Sequence, residues 1–288
     1  MQLKVPADLK ALYPFESNFH EIETEKMHYI DQGSGEKTYI MIHGNPTWSF
    51  YYRNLIKDLS KNARVIAIDH LNCGLSSRSE KFYRYNDRIE HIINLIESLE
   101  LNNLCIIGHD WGGAISVGVA TRLPNKTKSL VLMNTACFPS DNIPKRIAMC
   151  RLPVLGTFLN QVSNGFLLSS LVMGTSLGLG SLVKKGYLYP YKKSDGRKAI
   201  DDFVKDIPME TDHPSYAVMK EVGDKSQELE IPVLLLWGED DFCFDMQFYH
   251  QMKSHFKNVE SYSFKNVGHY VLEDAYDGCF KKISEFIQ

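Results

Sequence analysis

No two of the six cysteines sit in a CxxC pair; Cys73, Cys105, Cys137, Cys150, Cys243 and Cys279 are widely and irregularly spaced. That spacing excludes a zinc ribbon and a disulfide scaffold. Cys105, inside Leu104-Cys105-Ile106-Ile107, reads as a reduced thiol packed as a small hydrophobe, and the others follow it. Neither sign of charge dominates: 32 Lys and Arg face 35 Asp and Glu, a net −3. So even a balance gives no global pull toward nucleic acid or an anionic surface. A GxxxxGK phosphate loop is missing, and nothing in the sequence calls for a metal or an organic cofactor. The N-terminus, MQLKVPADLKALYPF, lacks the apolar core of a signal peptide, which predicts an intracellular, cytoplasmic protein. Repeats and low-complexity tracts are absent as well. What remains, 44% apolar and 23% charged residues over 288 positions, is ordinary for a globular chain and excludes disorder as its main state.

The first positive signal is alternation. Short apolar runs at 39–42, 65–68, 104–107, 130–133 and 233–237 read as buried strands. Helical patterns lie between them, most clearly Ile89, Ile92, Ile93, Ile96 and Leu99 at spacings of three and four. Strands alternating with helices imply a mostly parallel sheet covered on both faces, with sites at the carboxyl ends of its strands.

The alternation stops near Phe138 and resumes near Ile231. Residues 152–183 contain no Asp, Glu, Lys or Arg. A spanning helix needs about 20 apolar residues, but Gly156, Gly165, Gly174, Gly178 and Gly180 interrupt this stretch, as do Asn160, Gln161, Ser163 and Asn164. The expectation is a helical insertion packed over the sheet and lining an apolar tunnel, with partial docking to a lipid surface as the second reading.

Chemistry concentrates at three places. Gly108-His109-Asp110-Trp111-Gly112 follows one strand and opens the helical run 114–122, the context of a nucleophile elbow with Asp in place of Ser. Serine needs a base to lose its proton, whereas aspartate, with an ordinary pKa near 3.9, is already an anion. Its attack on a saturated carbon gives a stable alkyl ester, so Asp110 points to alkyl halides, epoxides or strained lactones. In elbow enzymes an acid and then a histidine follow in chain order. Gly238-Glu239-Asp240-Asp241-Phe242 supplies acids, among which motif position selects Asp241 over Glu239, Asp240 and Asp245; Val267-Gly268-His269-Tyr270 supplies the histidine. His43-Gly44-Asn45-Pro46-Thr47-Trp48 follows the strand at 39–42, and there Asn45, with Trp111 beside the nucleophile, offers backbone and side-chain N–H donors to a developing anion.

HGNPTWSFYYR, GHDWGG, WGEDDF and GHYVLED together resemble the α/β-hydrolase superfamily in its haloalkane-dehalogenase-like branch. The resemblance covers nearly the whole chain. It implies an α/β-hydrolase fold, a mostly parallel eight-stranded sheet flanked by helices, with core segments 1–138 and 213–288 and a helical cap at 139–212. It also implies a catalytic triad of Asp110, Asp241 and His269, with Asn45 and Trp111 binding the leaving group. Further segments, NTACFP from Asn134, GYLYPY from Gly186, FVKDIP from Phe203 and DFCFD from Asp241, resemble the β-lactone decarboxylases of bacterial long-chain olefin biosynthesis. That likeness implies a hydrophobic cis-3,4-dialkyl-oxetan-2-one as substrate, a cis-alkene and carbon dioxide as products, and the synthetase that makes the lactone as a partner. The alternative is a haloalkane dehalogenase or epoxide hydrolase in which His269-activated water hydrolyses the ester on Asp110. Against it, Asn134-Thr135 offers no carboxylate after the sixth strand, and Trp48, Trp111 and Trp237 all lie outside the cap. Tyr187, Tyr189 and Tyr191 are the cap phenols an epoxide hydrolase would need.

Overall fold

The computed structural model describes residues 3–286. Eight strands form one sheet: β1 (Asn18–Ile22), β2 (Glu25–Gln32), β3 (Thr38–Ile42), β4 (Arg64–Ile68), β5 (Leu104–His109), β6 (Thr127–Met133), β7 (Val233–Gly238) and β8 (Val259–Phe264). Their order is β1-β2-β4-β3-β5-β6-β7-β8, antiparallel in the first two pairings and parallel in the rest. The five apolar runs are β3 to β7, each extended by one to three residues. Every residue of β3, β5 and β7 is buried, as parallel strands covered on both faces should be.

The three strands that no apolar run marks lie toward the edges: β1 and β2 on one side, β8 on the other. They are partly exposed, so their sequences mix polar and apolar residues.

The strict alternation of side chains divides the core. Ile40, Ile42, Ile106 and Trp237 point to one face, under α2 (Tyr85–Ser98), α3 (Trp111–Arg122), α9 (Tyr216–Ser226) and α10 (Met246–His255). Met41, Ile107, Met133 and Leu236 point to the other, under α1 (Arg53–Leu59) and α12 (Tyr276–Phe286), where the short α11 (Val271–Asp274) adds Val271 and Leu272 to the core. Ile89, Ile92, Ile93 and Ile96 of α2 are all buried, so its periodic stripe is its packing face.

Between β6 and α9 the chain forms α4 (Lys145–Arg151), α5 (Pro153–Thr157), α6 (Gly165–Met173), α7 (Ser181–Leu188) and α8 (Lys198–Lys205). Hydrogen bonds tie these helices to loops at the carboxyl ends of the strands. The Trp48 indole donates to Gly186 O at 3.1 Å, Tyr191 donates to Thr47 O at 2.8 Å, and Tyr270 N donates to Gly174 O at 2.7 Å. Among the described residues no helix is long and apolar enough to cross a membrane.

Candidate active site

Asp110 stands where β5 turns into α3, with φ 54° and ψ −129°. A non-glycine residue in that region is strained, and the neighbourhood is built to hold it. A Cβ on Gly112 would lie 1.9 Å from Ile42 O, and one on Gly44 would lie 2.2 Å from Asp110 Oδ1. Thr135 Oγ1 donates to Asp110 O at 2.6 Å, and Gly113 N donates to the same oxygen at 2.9 Å.

The loop after β3 is equally fixed. His43 Nδ1 donates to Gly44 O at 2.8 Å, and His70 N donates to His43 Nε2 at 3.1 Å. Burial pushes the His43 imidazole down to about 4, so it stays neutral and keeps one acceptor nitrogen. That loop delivers Asn45 N to Asp110 Oδ1 at 2.6 Å. The backbone N–H of Trp111 also holds the Asp110 carboxylate. These two amides therefore grip the Asp110 carboxylate itself. Were that carboxylate esterified, the same two N–H groups would face any charge forming on its oxygen. The side-chain amide of Asn45 donates to Ile200 O at 3.3 Å, which leaves it a second N–H.

His269 follows β8 and meets Asp241, which follows β7. Its Nδ1 lies 2.7 Å from Asp241 Oδ2, and its Nε2 lies 3.8 Å from Asp110 Oδ2, beyond direct hydrogen-bond reach. The competing acids are engaged elsewhere: Glu239 with Ser263, Asp240 with Ser176, and Asp245 as the cap of α10. His109 Nε2 donates to His269 O at 2.8 Å and steadies its backbone. Burial pushes the Asp110 carboxyl up to about 6, against the pull of His269 and the two amides. Burial works to lower His269, but Asp241 and Asp110 outweigh it and raise the imidazole above its ordinary value.

Two residues that the sequence offered no role complete the arrangement. Asn134 accepts from Gly238 N at 2.9 Å and donates to Asp241 Oδ2 at 2.8 Å, so it aligns the acid with the end of β7. Thr135 holds the elbow. The one available signal was an Asn directly after an apolar strand, here in a left-handed conformation (φ 37°).

Asn45, Asp110, Trp111 and His269 all line one cavity of about 1010 Å³, counting its open mouth. Among the described residues, no ionisable side chain besides Asp110, His269 and the Cys243 thiol lines it. The lining corrects one expectation. Of residues 152–183 only Phe166, Ser170 and Gly174 reach the cavity; the apolar walls come instead from segments such as 138–147, 204–209 and 242–248. The charge-free stretch is long enough to wrap outside the wall, so its absence of charge says nothing about which way each residue points. The cap tyrosines do not line the cavity: Tyr187 donates to Glu273, Tyr189 to Lys4 O and Tyr191 to Thr47 O.

Residues 38–276 match the family described as alpha/beta hydrolase fold. The chain belongs to the α/β-hydrolase fold family. Within it, the haloalkane-dehalogenase-like branch holds its relatives. The chain is 34% identical to a cis-3-alkyl-4-alkyloxetan-2-one decarboxylase from Shewanella oneidensis, over 97% of this chain and 90% of that protein. It is 30% identical to haloalkane dehalogenase 2 from Mycobacterium tuberculosis, over 92% and 93%. Among solved structures, a haloalkane dehalogenase from Bradyrhizobium elkani superposes with a TM-score of 0.88 at 20% identity, over 95% of this chain and 97% of that one. That likeness shows the shared α/β-hydrolase architecture.

Proposed function

We propose that this α/β-hydrolase-fold enzyme is a β-lactone decarboxylase, converting a cis-3,4-dialkyl-oxetan-2-one to a cis-alkene and carbon dioxide. The observation that carries the reading is the cavity: a carboxylate at an elbow opens onto walls that, among the described residues, hold no ionisable group besides His269 and the Cys243 thiol. Two alkyl chains fit such walls, since each buried methylene is worth about 0.8 kcal/mol. Similarity to a relative named for this reaction supports it.

Asp110 attacks the ring carbon bearing oxygen from the side opposite that oxygen. The C–O bond of the ring breaks as the ester bond to Asp110 forms, and the carboxylate so released is left antiparallel to the new bond. The bond between that carboxylate and the neighbouring ring carbon then breaks. Its electrons form the alkene, carbon dioxide leaves, and Asp110 departs as a carboxylate. One inversion followed by one anti fragmentation returns a cis lactone as a cis alkene. The amides of Asn45 and Trp111 polarise the ester and make Asp110 a better leaving group, and a charged His269 favours the carboxylate that leaves. Asn45 and Trp111 side chains hold the released carboxylate. No water is consumed.

A second reading, hydrolysis of a haloalkane, is favoured by the Asp241–His269 pair, which has the form of a water-activating base. The cap phenols, all engaged away from the cavity, give no support to an epoxide hydrolase.

Both readings are tested on one preparation. A synthetic cis-dialkyl β-lactone should give alkene by gas chromatography, and 1-bromohexane should give no bromide. Asp110→Ala should lose at least about 10³-fold in turnover; retained turnover would remove Asp110 as nucleophile. In water labelled with heavy oxygen, Asp110 should stay unlabelled through many lactone turnovers, whereas hydrolysis of its ester would load the label onto its carboxylate.

A further inference from the structure

Since residues 152–183 contribute so little to the cavity, most of their apolar side chains need another partner. Leu167 and Leu171 have one in the core, and Phe166, Leu179 and Val183 pack against its edge. Most of the others stay exposed. Of the eleven large hydrophobic side chains exposed among the described residues, ten lie between positions 149 and 182, and the other is Leu3. Val154 is 85% exposed, Leu177 74% and Val172 69%. α6 shows the pattern in one helix: Phe166 and Ser170 face the cavity, Leu167 and Leu171 face the core, and Leu168 and Val172 face outward. A helix apolar on every side is normally buried on every side, and this one is not. Phe158 and Val162, also four apart, carry the exposure onto the turn packed against α6.

Along the chain this face is flanked by charge of one sign, while from other elements Asp201 accepts from Thr157, and Asp240 and Asp274 accept from Ser176. Residues 142–194 hold seven Lys and Arg and no Asp or Glu; since the whole chain is −3, the remainder is −10. Arg151 pairs with Glu210 and Lys185 with Asp8. Lys145 and Arg146 before the stretch, and Lys184, Lys192 and Lys193 after it, have no acidic partner at ion-pair distance among the described residues.

We propose that this face docks on the surface of an anionic lipid bilayer, with the apolar side chains at the headgroup boundary and the flanking Lys and Arg on lipid phosphates. An apolar face with a basic rim, on a chain otherwise acidic, matches that surface. It opposes a second copy of the chain, because a two-fold contact through this face would set like charges against each other. Contact is peripheral, since no described helix is long enough to span. α4 and α6 line the cavity with Ile147 and Phe166 while exposing Met149 and Val172, so the docked face is the outer side of the cavity wall.

The test is co-sedimentation of the full chain with vesicles of phosphatidylcholine, with and without phosphatidylglycerol. Each basic side chain near an anionic surface strengthens binding roughly fivefold. Binding should therefore be at least about tenfold tighter with phosphatidylglycerol and should weaken as salt screens it. The combined change Val154→Glu, Phe158→Glu and Val172→Glu should abolish binding at an unchanged melting temperature. Lys145→Glu with Arg146→Glu should weaken it at least about tenfold. The proposal fails if the parent stays in solution with anionic vesicles, or if the triple variant binds as the parent does. It fails equally if the parent is a dimer without vesicles and the triple variant is a monomer, which would give the face to a second copy.

Discussion

Asp110 and His269 carry linked charges, and their environment sets how each responds to pH. On the proposed mechanism a carboxyl raised to about 6 attacks only when ionised, so turnover should fall as pH drops through about 6. Stability moves the other way. The folded state holds the Asp110 proton more tightly than the unfolded chain, so the destabilisation from its charge appears between about pH 4 and 6 and is fully present above 6. Asp110→Asn should therefore be inactive yet more stable at pH 8 by about 1–3 kcal/mol, with the gain vanishing near pH 4; denaturant titration at the two pH values measures it. Asn134 makes a different case. Asn134→Ala leaves Gly238 N and Asp241 Oδ2 short of a partner in a buried place, which should destabilise by about 1–3 kcal/mol. It should lower kcat with little change in KM, read from steady-state kinetics beside a melting curve. Asp110, Asp241 and His269 were legible because each sits at a fixed place after a strand in a local glycine pattern. Asn134 and Thr135 were not, because a polar residue after a strand reads as an ordinary turn until the neighbouring strand is brought beside it.

At the scale of elements, the parallel interior strands announced themselves and the edges did not. β3 to β7 are covered on both faces and so must be apolar throughout, whereas β1, β2 and β8 keep a wetter side and lose the signal. Helix α3 was legible to within its first turn, and Gly112 can only be small where α3 meets Ile42 O. The helices over the site were harder, because their packing partners are loops distant in sequence. α7 docks through Gly186, where a Cβ would stand 2.2 Å from Phe50 Cζ, and Phe50 itself is buried and stacked on Trp48 at 5.5 Å. Gly186→Val should push α7 away, break the bond from the Trp48 indole, and destabilise by about 1–3 kcal/mol. A lower melting temperature with a red-shifted tryptophan emission is the expected result; an unchanged spectrum would mean that Phe50 moves instead.

For the whole molecule, the arrangement of polarity separates two surfaces that one stretch of sequence had merged. The apolar residues between 149 and 182 mostly face outward, while the reaction chamber takes its lining from flanking segments. Lack of charge was visible in the sequence, but its direction was set only by folding. The chamber itself can be checked at Ile147, which is buried and lines it. On the proposed reaction, Ile147→Asn should slow alkene release and let the β-hydroxy acid, the product of simple lactone hydrolysis, appear beside it in the chromatogram. The reason lies in the medium those walls create. A carboxylate about to lose carbon dioxide concentrates charge that its transition state spreads over a larger volume, and water stabilises the concentrated form more. On the proposed reaction, a chamber with so little polarity would withhold that solvation, so the fragment that breaks down to the alkene would be hurried along while hydrolysis would be starved of its reagent. The greasy lining would then act as the solvent of the proposed reaction as well as the container for its substrate.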